Sequence, residues 1–124
     1  MSGIRKLAAW RGIAAIAVIA GAALTVVPTD ADDKKFTAAD VLGWEETSQN
    51  SFFETSVSMA GVIAIQSENP AGRCINDWYF KTDAGKQSAN QEIRKAMTRF
   101  SDFYPASVIV AVLEKNCGEL TPTN

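Results

Sequence analysis

A charge-free apolar run near the start of the chain constrains everything after it. Gly12–Val27 is sixteen residues without a charge, and Thr25 is its only polar side chain. Arg5, Lys6 and Arg11 precede it with no acid among them. Pro28, Thr29-Asp30-Ala31 and the charged run Asp32-Asp33-Lys34-Lys35 follow it. A basic n-region, an apolar h-region and a small-residue site read as a secretory signal peptide, with cleavage after Ala31. The alternative is an uncleaved N-terminal anchor, although a membrane span usually needs about 20 residues. Under both readings the basic flank stays in the cytoplasm and the rest is exported. The expected organisation is a signal peptide over 1–31 and one exported domain over 32–124. Membrane contact is expected only through the N-terminal segment, where that segment is retained.

The exported part has 93 residues, with 9 Lys and Arg against 13 Asp and Glu, a formal charge of −4. That balance argues against nucleic acid as a partner. The chain contains no histidine, so the commonest general base and commonest metal ligand are missing. Phosphate-binding loops and metal motifs of the H-E-x-x-H kind are absent from the sequence. Paired carboxylates such as Asp77 and Asp83 read as solvated surface, since nothing in their spacing puts them in one pocket. The expectation is a non-enzyme without cofactor or metal.

Cys74 and Cys117 are the only cysteines. In an oxidising compartment their default is a disulfide. It closes a loop of 43 positions, worth about 4 kcal/mol in the chain-entropy model. That is close to the whole net stability of a small domain. Reactive thiols would need an activating partner or a C-x-x-C pair, and two sulfurs without histidine leave a zinc site half built.

The remaining pattern is helical. Thr37 and Asp40 form a capping-box pair over a short helix at Ala38–Trp44. Gln49–Gln66 has Phe52, Thr55, Ser56, Met59, Val62, Ile63 and Gln66 at threes and fours, flanked by Phe53, Ala60 and Ile65. Gly61 in its middle suits a close helix crossing. Asn69-Pro70 and Gly72 mark Ser67–Arg73 as a loop. Residues 74–80, CINDWYF, fit either a short strand or a helical turn. Lys86–Phe103 carries Ala89, Ile93, Ala96 or Met97 and Phe100 on one stripe, ending at Tyr104, with a weak Glu92–Lys95 pair outside it. Pro105 then starts a last helix through Asn116. Its run Val108–Leu113 is apolar all round, which predicts a central, buried helix. The fold class is all-α, a compact domain of about four helices with one disulfide.

The order of landmarks is an apolar helix with a small-residue centre, Arg73-Cys74-Ile75, a helix with Ile93, Met97 and Phe100, Tyr104-Pro105, an apolar helix and Cys117. It resembles the Rap1a/Tai-type immunity proteins over about 52–117. Asn76-Asp77 stand where that family usually has proline after the Cys-Ile pair. The resemblance implies a helical periplasmic protein that neutralises a toxin delivered by a type VI secretion system. The landmarks are also similar to those of HdeA-type acid-stress chaperones, which implies a holdase as the alternative function, beside an uncharacterised structural role.

The best local binding feature is the aromatic run Trp78-Tyr79-Phe80 beside Arg73 and Asp77. Tyr, Trp and Arg are typical interface anchors. Arg73, Asp77, Trp78 and Tyr79 are therefore the expected protein-binding residues. The alternative is that Trp78 or Phe80 packs the core while Tyr79 faces water.

Overall fold

Five helices make up the domain: α1 (Ala38–Leu42), α2 (Glu46–Gln66), α3 (Ala71–Tyr79), α4 (Asp83–Arg99) and α5 (Pro105–Cys117). The computed structural model describes residues 34–120. The signal peptide expected over 1–31 lies outside those residues. Three quarters of the described chain is helical and none of it is strand. The all-α expectation therefore stands, with one helix more than the four expected.

The extra helix is α3, the segment that fitted a strand or a turn. It begins inside the expected loop. The Ala71 N–H donates to Asn69 Oδ1 at 2.9 Å, which satisfies a free donor at the helix start. Pro70 immediately precedes it, and no strand exists for it to pair with among the described residues. The start of α1 follows the sequence: the Thr37 N–H donates to Asp40 Oδ2 at 2.8 Å. In α4 the helix starts three residues before the expected Lys86, because Thr82 Oγ1 accepts from the Gly85 N–H at 2.9 Å. It also ends earlier, at Arg99. Residues 101–103 turn instead to the start of α1. Their carbonyls accept from Ala39 N–H (Ser101 O, 3.0 Å) and Ala38 N–H (Phe103 O, 2.8 Å).

The core is Val41, Phe53, Val57, Ile75, Tyr79, Ile93, Met97, Ile109 and Leu113, all essentially without solvent contact. Each such side chain contributes about 1.5–3 kcal/mol through burial. This corrects the expected stripe of α2. The buried positions are Gln49, Phe53, Val57, Gly61 and Ala64, one step round from the predicted Phe52, Met59, Val62 and Ile63. Both rows repeat at threes and fours, and the packing of α3 against α2 selects the row with small residues. The α5 expectation is also corrected. Val108, Ile109, Val112 and Leu113 are buried, while Val110 and Ala111 face out. Phe100 and Tyr104 are exposed rather than core, and Glu92 pairs with Lys115 at 3.6 Å instead of with Lys95.

Cys74 and Cys117 are bonded, with their Cα atoms 5.5 Å apart. The bond fixes the middle of α3 to the end of α5.

Candidate binding surface

The α2–α3 hairpin positions the surface. α2 ends in a Schellman arrangement. The Asn69 N–H donates to Ala64 O at 2.8 Å and the Glu68 N–H to Ile65 O at 3.0 Å. Glu68 sits in the left-handed region at φ 57°. The chain then turns back and α3 crosses close to α2. A Cβ on Gly72 would lie 2.9 Å from the Ile65 backbone nitrogen, so only glycine fits there without movement. At Gly61 a Cβ would meet Ile75 Cγ2 at 3.4 Å, ordinary contact.

This close crossing leaves a shallow groove of about 320 Å³, lined by Gly61, Val62, Ile65, Gly72, Ile75 and Phe80 among others. Ile65 also borders a second depression of about 370 Å³, shared with Glu68, Asn69, Pro70 and Arg73. Along the outer side of α2, Met59, Val62, Ile63 and Ile65 are each half or more exposed. Met59 is three and four residues from Val62 and Ile63, and Val62 is three from Ile65, so the four span the outer half of the helix. A row of large aliphatic side chains in water at this spacing is unusual for a domain with a filled core.

The four expected binding residues do not share one surface. Arg73 and Asp77 are exposed, one helical turn apart on the outer side of α3. Trp78 is half-buried and packs against the core. Tyr79 is wholly buried and donates its hydroxyl to Asn90 Oδ1 at 2.6 Å. Burial pushes its pKa up to about 12; the Glu54 carboxylate adds to the rise, while the Arg94 charge opposes it. Tyr79 is therefore a core residue, which corrects both its expected role as an anchor and the alternative that it faces water. The 3.6-residue period explains the split: in a helix, residues 73 and 77 share one face, and residue 79 falls with Ile75 on the other.

A polar network, unforeseen in the sequence, joins α1, α2, α3 and α4 near the N-terminal end of α2. Arg94 donates from Nε to Gln49 Oε1 at 2.9 Å and from Nη2 to Asn50 Oδ1. Its guanidinium also lies 5.4 Å from the Phe53 ring centroid. Gln49 donates in turn to the carbonyls of Leu42 and Trp44 at 3.1 and 2.8 Å. Asn90 links Tyr79 to Asn50. A depression of about 240 Å³ opens above Arg94, Asn50 and Asn90, but these groups are engaged with one another. No buried side-chain nitrogen or oxygen among the described residues lacks a partner. No group of three or more Cys, Asp or Glu among them is arranged to hold a metal ion.

Comparison with protein families, curated proteins and solved structures finds no match to this chain. The resemblance to Rap1a/Tai-type and HdeA-type proteins is thus carried by the sequence landmarks alone.

Proposed function

We propose that the exported domain is a non-catalytic binding module that recognises a folded protein partner through the α2–α3 face. The carrying observation is the exposed row Met59, Val62, Ile63 and Ile65 beside the groove over Gly61 and Gly72. Apolar contact area there would supply the affinity, and Arg73 and Asp77 on the adjoining helix would supply charge complementarity at the rim. The disulfide and the close helix crossing hold the face rigid, which lowers the ordering cost of association. An immunity-type role, in which the partner is a delivered toxin, is the particular form that the sequence landmarks favour.

Affinity capture from periplasmic extract tests this reading, with V62D/I65D and R73A as parallel baits. These positions are exposed, so the variants should keep wild-type thermal stability. A stoichiometric partner bound by wild type, lost with V62D/I65D and weakened with R73A, is the expected result. Equal capture by all baits would show that another surface binds. Capture of many unrelated proteins, and only at about pH 2–3 where acid-expanded states form, would support the holdase instead.

A further inference from the structure

A groove of about 340 Å³ runs between α4 and α5. It shares no lining residue with the α2–α3 face. Its floor is apolar. Val108 and Val112 of α5 are buried, Ala96 of α4 is half-buried, and the exposed Ala111 completes the surface. The exposed ring of Phe100 stands at one end, and Glu92 and Lys115 stand at the other. Glu92 precedes Phe100 by eight residues, which is about 12 Å along α4.

Three cations and one acid line this groove: Lys95, Arg99 and Lys115 against Glu92. Glu92 is already engaged. Lys115 Nζ lies 3.6 Å from its Oε1, and the Asn116 side-chain amide donates to the same oxygen at 3.0 Å. Lys95 and Arg99 are exposed and one helical turn apart on α4, and neither is in an ion pair among the described residues. Asp102, exposed in the turn after Phe100, is not part of the lining. An apolar floor thus lies beside two uncommitted positive charges, in an exported part whose formal charge is −4.

We propose that the α4–α5 groove binds a small amphipathic anion, a single apolar chain ending in a carboxylate. The chain lies on Ala96, Val108 and Val112, and the carboxylate pairs with Lys95 and Arg99. Charge complementarity selects the anion, and a guanidinium matches a carboxylate in two parallel hydrogen bonds. The floor selects the chain: small-ligand sites are mostly apolar, with few polar groups, and hold about 300–1,000 Å³. Size selects a free small molecule over a segment of a partner protein. A helix with its side chains is about 10–12 Å across, so it would lie over the groove, across Phe100 and the Lys115–Glu92 pair, rather than in it.

The test follows the methyl signals of Ala96, Val108, Ala111 and Val112 by NMR as decanoate is added to the full chain below its micelle-forming concentration. Reading these methyls, rather than binding as such, excludes decanoate taken up by Gly12–Val27. All four should shift together in one saturable transition. Acetate, the head group alone, and decyltrimethylammonium, the same length of chain with the opposite charge, should leave them in place at the same concentration. Two exposed ion pairs are together worth about tenfold, so K95A/R99A should raise the midpoint about tenfold with unchanged helical circular dichroism. Unshifted methyls with decanoate would overturn the proposal. So would equal shifts with decyltrimethylammonium, or a midpoint that K95A/R99A leaves unmoved. Tighter binding at these methyls by a peptide of leucine and glutamate would assign the groove to a protein and overturn it equally.

Discussion

Two glycines at one helix crossing should respond to alanine with opposite signs. At Gly72 an added Cβ meets Ile65 Cγ1 at 2.7 Å, the Ile65 backbone nitrogen at 2.9 Å and the Ala64 carbonyl carbon at 3.3 Å. The Ile65 side chain is exposed and can rotate away, but the backbone of α2 cannot. The crossing must open, and overpacking of this kind costs about 1–3 kcal/mol. At Gly61 the nearest atom is a side-chain methyl of Ile75 at 3.4 Å. There the helix-propensity gain of about 1 kcal/mol from Gly to Ala outweighs a small adjustment. Urea unfolding with the disulfide intact checks both. G72A should lose about 2 kcal/mol, a fall in Tm of about 10 °C for a domain this size, while G61A should gain up to about 1 kcal/mol. The slope with denaturant should stay constant in both. If G72A unfolds with wild-type stability, or if G61A is the more damaging of the two, the close approach of α3 to α2 is not as described.

Replacing Glu68 by Gly should stabilise the domain by about 1 kcal/mol, because glycine carries no left-handed penalty at the end of α2; thermal melts would show it. Y79F should cost about 1 kcal/mol by leaving Asn90 Oδ1 without its phenol donor, again read by urea unfolding. The raised Tyr79 pKa has a definite sign. Between pH 10 and about 12 the unfolded phenol ionises while the buried one stays protonated. Stability is thus intact below pH 10 and falls above it by at most about 1.4 kcal/mol per pH unit, a slope that Y79F should remove. Reduction of Cys74–Cys117 should cost about 4 kcal/mol, measured by comparing unfolding with and without reductant.

What the sequence showed clearly was local: the capping pair Thr37 and Asp40, Pro105 at the start of a helix, and two cysteines with no other partner. What it concealed depends on which helices meet. α2 is apolar on both sides, so periodicity alone marks two equally good stripes. The choice of Phe53, Val57, Gly61 and Ala64 over Met59, Val62 and Ile63 is made by α3, whose Gly72 needs a flat surface of small residues. Gly72 itself reads as a turn signal, because the demand for a missing Cβ comes from a chain segment seven residues earlier. Tyr79 was misplaced for a similar reason: with 74–80 undecided between strand and helix, nothing fixed which of three consecutive aromatics turns inward.

The same ambiguity in α2 explains the candidate binding surface. Residues 59–65 of α2 carry no polar side chain, and a stretch apolar all round belongs in a protein large enough to surround it, which this domain is not. One side of α2 is covered by α3 and by the core, and the C-terminal half of the other keeps Met59, Val62 and Ile63 in water. Removing them would cost the fold little, since half-exposed side chains contribute little to burial. Under the proposed function, contact outside the chain gives these large aliphatics the role that stability within the domain does not. The α4–α5 groove shares no lining residue with this face. Charge or polar substitutions at one should therefore leave the other unchanged.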